Sequence, residues 1–288
     1  VSLAAMPLAA ADLSERISNL DPATYRYRES VHAGAGPMEY GTLLASGAIH
    51  QLRFLHRGVI HPGGGIGHHM HNSTEEMFVI FNGKAQFTIN GHTAEVVGPA
   101  GVPVRLNQSH AIYNHTDEPL EWMNMSITRS DMPVMDRSED PTASIDLNDD
   151  RVGVPLSKVP PFLVADLHGD KLRPVTEMFG GKGTVQYSRK AGPTFFRSNW
   201  AYIEHLVVPP GASVGKHAHR GVEEFYYVMK GAGEISIGDE AAAIRPGDAI
   251  PILAREGHGV SNGGSEPLEL LIIGVALHKG VIDSSPVP

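Results

Sequence analysis

The chain has 288 residues with no cysteine, 16 histidines and 32 Asp+Glu against 23 Lys+Arg, a formal net charge of −9. That length accommodates two domains with cores of their own, and the missing cysteine excludes disulfides, thiolate nucleophiles and Cys-based zinc or iron–sulfur sites. The acidic balance argues against nucleic acid or an anionic membrane surface as a partner, and no apolar run approaches the roughly 20 residues that span a bilayer.

In chain order, Val1 to Ala11 is small and apolar. Ala9-Ala10-Ala11 before Asp12 resembles the end of a secretory signal, although no basic segment precedes it. The other reading is an apolar arm packed on the domain or on a second subunit. The location is therefore open between cytoplasmic and exported or periplasmic. Asp12 to Leu20 predicts one short helix, with Asp12 as N-cap, Glu15 three residues on and Pro22 beyond the end. Strand patterns cut by Gly, Pro and Asn turns then run from about Ile49 to Ile127 and from about Trp200 to Leu277.

Between these runs, Ser130 to Arg151 carries Asp131, Asp136, Glu139, Asp140, Asp146, Asp149 and Asp150 against Arg137 and Arg151. It predicts a solvated connector and lacks the alternation and central glycine of a calcium loop. Gly180-Gly181-Lys182-Gly183 has no following Ser or Thr and predicts a turn at a pocket rim rather than a phosphate loop. The expected divisions are 1–45 for an arm and short helix, 46–129 for a first domain, 130–195 for a linker with lead-in strands, and 196–288 for a second domain.

An internal repeat organises the rest. A shift of 148 residues superimposes Pro62-Gly63 on Pro210-Gly211, His69 on His217, His71 on His219, Glu75-Glu76 on Glu223-Glu224 and Gly83 on Gly231. Without net insertion it then places His110 on His258, Asn114 on Asn262, and Glu118-Pro119-Leu120-Glu121 on Glu266-Pro267-Leu268-Glu269. The matched residues set turns or bind metals, while the apolar positions have drifted.

In a strand, His69 and His71 share a face. Glu76 follows a short turn, sharing its face with Phe78 and Ile80, and His110 arrives from a more distant strand. Three imidazoles and a carboxylate suit a divalent transition metal such as Fe, Mn, Cu, Ni or Zn. His217, His219, Glu224 and His258 repeat the set, with Tyr226 and Val228 on the matching face. Glu75 and Glu223 are expected to point away from the metal. Tyr226 has two readings: a phenol that hydrogen-bonds substrate near the second metal, or a packed aromatic. Met70, Met77, Met123 and Met125 read as core packing, the alternative being a soft wall that favours copper.

Both halves resemble cupin domains. The first motif, G-x5-H-x-H-x3,4-E-x6-G, is met by Gly63, His69, His71, Glu76 and Gly83, and again by Gly211, His217, His219, Glu224 and Gly231. The second motif keeps His110 with Asn114 and His258 with Asn262, but its usual Pro-x-Gly is replaced by Arg105 and Asn107 in one copy and by Leu253 and Arg255 in the other. The resemblance implies an all-β chain of two double-stranded β-helix (jelly-roll-like) barrels in tandem, each with a metal site, a small-molecule substrate and a homodimer as a frequent assembly. Bicupin oxalate decarboxylases place an arginine three residues before the first ligand histidine. Ile66 and Val214 stand there, so the resemblance implies the loss of that charge partner from both sites.

The expected function is a metal-dependent oxidoreductase of the dioxygenase type acting on a small organic substrate, with Glu76 and Glu224 able to accept a proton. The alternatives are non-redox isomerisation, lysis or hydrolysis of a sugar acid or hydroxy-acid, and ligand binding without turnover.

Overall fold

Short runs of alternating apolar residues bounded by Gly, Pro and Asn favour strands over helices, and strands make up nearly all the regular structure of the computed structural model. It describes residues 12–129, 131, 144–147 and 151–287. The signal-like Val1–Ala11 segment and most of the acidic connector lie outside the described residues. Among the described residues no helix is long and apolar enough to cross a membrane.

Each half is a pair of facing antiparallel sheets. In the first, Met38–Leu44, Leu52–Ile60, Leu120–Thr128, Thr74–Ile80 and Ala100–Val104 are successive neighbours in one sheet; Gly65–Met70, Ser109–Tyr113, Lys84–Ile89 and His92–Val97 are successive neighbours in the other. Phe78, Ile80, Val102 and Trp122 from the first sheet pack on Ile66, Phe87, Ile89 and Ile112 from the second. The second half repeats the plan. Thr184–Ala191, Trp200–Val208, Leu268–Ala276, Val222–Lys230 and Ala249–Ile252 face Glu240–Ile244, Gly233–Ile237, His258–Ser261 and Ser213–Ala218. The chain is all-β, two double-stranded β-helix barrels in tandem.

The outer faces of the two larger sheets pack against each other in a core shared by both halves, where Met77, Val79, Met123 and Met125 meet Phe225, Tyr227, Leu271 and Ile273. Every residue of Thr74–Ile80 is consequently buried, one face by its own barrel and the other by the neighbouring barrel. Three of the four methionines singled out above belong to this shared core and line neither metal pocket.

Two expectations change near the N-terminus. The helix spans Leu13–Arg16 rather than Asp12–Leu20, and Asp12 makes no side-chain cap. Tertiary bonding to the second barrel displaces helical bonding there. Leu13 N donates to Glu240 Oε2 at 2.7 Å, Arg16 pairs with Glu256 at 2.6 Å, and Ser18 bridges Ala249. Met38–Leu44, inside the segment assigned to an arm, pairs with Leu52–Ile60 and extends the first barrel's sheet.

Candidate metal centres

The strand register assembles each ligand set. His69 lies opposite His110 on paired strands of the smaller sheet, and His217 lies opposite His258. The larger sheet supplies Glu76 and Glu224 from across the barrel. The donor atoms of His69, His71, Glu76 and His110 all lie within 4.8 Å of one another, and so do those of His217, His219, Glu224 and His258. All eight residues are buried.

Backbone carbonyls fix which imidazole nitrogen faces inward. Nδ1 of His69, His110, His217 and His258 donates to the carbonyl of Gly67, Gln108, Gly215 and Glu256 at 2.7–3.1 Å. Nδ1 of His219 donates to the carbonyl of Asp283. Such bonds leave Nε2 as the ligand nitrogen and hold the ring's orientation. Nε2 of His110, His219 and His258 is buried and makes no hydrogen bond of good geometry, the nearest carboxylate oxygen being Glu76 Oε2 at 3.7 Å for His110 and Glu224 Oε2 at 3.3 and 3.0 Å for His219 and His258. Buried polar atoms of this kind ordinarily find partners, so inward-facing donors with none fit a bound cation. The nitrogen and oxygen donors suit a divalent transition metal in each barrel.

The electrostatics agree. Burial, then His110, pushes His69 well below the ordinary imidazole range. Burial opposes charge on Glu76 and Glu224, but His71 and His110 around the one, and His219 and His258 around the other, hold both carboxyls well below theirs. Burial and His258 push His217 down to about 4. Burial also opposes charge on His219, yet Glu224 and Asp283 lift it to about 9. An ionised carboxylate beside a neutral His69 or His217 is the form that binds a metal, and a metal ion would have to displace the proton that His219 holds.

The flanking residues are ordered alike in both halves. Asn114 Nδ2 donates to the carbonyls of Ile60 and Glu118, and Asn262 Nδ2 to those of Val208 and Glu266, at 2.8–3.0 Å. These asparagines staple the end of the second motif. Asn107 and Arg255 take φ of +63° and +73°, so the turn keeps its left-handed residue without glycine. Its amide donates to the carbonyl of His71 at 2.8 Å and of His219 at 2.6 Å.

Each set opens on a pocket, lined by His69, His71 and Glu76 in the first barrel and by His217, His219 and Glu224 in the second. Phe78 and Tyr226 line them as expected; Ile80 and Val228 pack deeper in their barrel cores. Tyr226 packs edge-on against His258, its centroid 5.8 Å away. The phenol that holds a ligand is Tyr202, whose hydroxyl donates to Glu224 Oε1 at 2.7 Å. In the first centre Asn124 Nδ2 does this for Glu76 Oε2 at 3.1 Å. A ring also stacks on the first ligand histidine of each centre: His32 on His69 at 3.9 Å and Phe179 on His217 at 4.0 Å. Phe179 sits in the turn that ends in Gly180-Gly181-Lys182-Gly183.

The expected loss of a charge partner needs correction. Ile66 and Val214 do line the pockets, but Arg53 enters the first pocket and Arg189 the second, each from a strand outside the motif. Periodicity did not place Arg53 because a register shift interrupts the pairing of Leu52–Ile60 with Leu120–Thr128 beside it.

The cupin domain profile matches residues 56–126 and 204–274. The oxalate-binding protein of Thermotoga maritima is 30% identical over 103 residues, 36% of this chain and 85% of that protein. Among solved structures, Bacillus subtilis oxalate decarboxylase, a protein with Mn(II) centres, covers 94% of this chain over 79% of its own, at 20% identity and a TM-score of 0.61. The formate complex of Lactobacillus farciminis oxalate decarboxylase covers 94% over 88%, at 16% identity and a TM-score of 0.63. At these identities the structural likeness is one of fold. The profile match in each half, the relative spanned over most of its length and the repeated His and Glu sets together establish that the chain belongs to the cupin superfamily, as a bicupin with a complete metal-binding motif in each half.

Proposed function

We propose that the chain is a metal-dependent oxidoreductase of the dioxygenase type whose first centre acts on a small organic acid. The observation that carries the substrate class is Arg53, a guanidinium 6% exposed on the wall of the pocket lined by His69, His71 and Glu76. A fixed guanidinium in a low-dielectric pocket binds a carboxylate through charge-assisted hydrogen bonds. The oxalate-binding relative and the formate-bound structural neighbour support an acid of this size.

A bound Mn or Fe would supply a Lewis acid and a redox partner for O2. The chain's residues do the rest. Arg53 neutralises and orients the substrate carboxylate. Glu76, steadied by Asn124, takes a proton from the substrate hydroxyl or α-carbon as charge develops. Phe54, Phe78 and Trp122 on the pocket wall exclude water.

Oxygen uptake with small hydroxy- and dicarboxylic acids tests this reading. Uptake should depend on added Mn or Fe, and Arg53→Gln should raise KM by about 10- to 100-fold, the cost of losing one or two charged hydrogen bonds. Equal turnover without oxygen in the Zn-loaded protein would move the assignment to non-redox isomerisation or lysis.

A further inference from the structure

The two pockets share a strand register but not a charge arrangement. Thr184–Ala191 pairs with Trp200–Val208 so that Arg189 faces Glu204, whereas Met38–Leu44 pairs with Leu52–Ile60 so that Thr42 faces His56. Arg189 Nε donates to Glu204 Oε1 at 2.8 Å, and the Tyr187 hydroxyl donates to the same oxygen. The guanidinium also lies 5.1 Å from the centre of the Tyr202 ring. Glu204 is 7% exposed, so the pocket's cation is already committed to an internal anion. Asp283, anchored to the amides of Arg220 and Gly221, adds another carboxylate to the wall. Among the described lining residues, the second pocket sets Glu204, Glu224 and Asp283 against Arg189, while the first sets Glu76 against Arg53.

From this arrangement we infer that Glu204 is a specificity-determining residue that closes the second centre to carboxylates. The second centre is left to an uncharged, hydroxyl-bearing ligand, so the two centres of one chain serve different ligand classes. An incoming carboxylate there would meet Asp283 as an additional like charge, and the guanidinium that would receive it is held by Glu204. A neutral ligand finds hydroxyl partners in Tyr226 and Ser284, which line the same pocket. The contrast with the first centre rests on the carboxylate reading given above; the exclusion at the second does not.

The test uses the full chain charged with Mn(II), with metal content checked by elemental analysis, and titrates two probes of equal size: lactate and its uncharged amide, lactamide. Wild-type protein should bind one lactate per chain and should bind lactamide at the second centre. Glu204→Gln, and Glu204→His carrying the residue found at position 56, should each gain a second lactate, with affinity at that centre rising at least tenfold. Adding Arg189→Gln to either should remove the gain. A wild type that binds no lactate beside a Glu204→Gln protein that binds one would overturn the reading of the first centre and uphold this one. Two lactates bound by wild type, no gain in either variant with both ions retained, or loss of the second ion in both variants would each overturn the assignment of Glu204.

Discussion

Glu76 and Glu224 each face three imidazoles in matching positions, yet different side chains steady them: the Asn124 amide in one barrel and the Tyr202 hydroxyl in the other. Under the 148-residue shift, Asn124 falls on Ile272 and Tyr202 on Phe54, so the supporting group has changed strand while the ligand has stayed. This explains what a single sequence reveals at the residue scale. Chelation demands fixed residue types at fixed spacing, which made all eight ligands legible. A hydrogen bond to a carboxylate oxygen can come from any neighbouring strand, so Tyr202 and Asn124 carried no motif, and Tyr226 drew attention because it shares the ligand's face. Tyr202→Phe should therefore weaken metal binding at the second centre by about 10- to 100-fold and leave the first unchanged, as losing an outer partner of a ligand typically does. Metal titration of the variant measures this. Equal weakening at both centres, or at neither, would contradict the assignment.

At the scale of elements, the strands followed from alternation and turn residues, whereas the turns that close over the metal pockets did not. Val31 to Gly36 and Glu177 to Gly183 fold over the strands that carry the first ligand histidine of each set, with His32 and Phe179 at φ of +51° and +53°. Their carbonyls come so close to Gly67 and Gly215 that a Cβ built there would lie 2.0 and 2.1 Å from oxygen. Glycine is needed at these strand positions to admit the turn rather than to supply an unusual φ. The second-half turn is marked in the sequence by Gly180-Gly181-Lys182-Gly183, whereas the first, Val31-His32-Ala33-Gly34, has no such run of glycines. Gly215→Ala should force the turn and its stacked Phe179 off His217, destabilising the protein by about 1–3 kcal/mol, as overpacking generally does. Urea unfolding measures the loss, and unchanged stability would mean that the turn does not rest on Gly215.

On the scale of the whole molecule, the two barrels are joined by an apolar core and by a reciprocal pair of carboxylates, Glu75 fully buried and Glu223 partly so. Glu75, beside the ligand Glu76, accepts from the amides of Leu106, Arg197 and Ser198 at 2.7–3.2 Å and from the Ser198 hydroxyl. Glu223, beside Glu224, accepts from the His50 amide at 2.7 Å. Each ties a ligand-bearing strand of one barrel to the lead-in of the strand that lines the other barrel's pocket, Trp200–Val208 or Leu52–Ile60. Alternation predicted that these glutamates turn away from the metal. It gave no sign of where they go, because their partners lie as far as 123 and 173 residues away along the chain. Glu75→Gln places an amide donor among amide donors, and it should cost at least about 2 kcal/mol in chemical unfolding, given 1.5–3 kcal/mol for a hydrogen bond to a charged group; a cost near zero would show that the bridge contributes nothing. The central claim is that each barrel holds its own metal ion through three histidines and one glutamate, and elemental analysis of the purified chain and its single-site variants tests it most directly. The account predicts two divalent ions per chain in wild type and one in either His69→Ala or His217→Ala, whereas full occupancy after either substitution would contradict it.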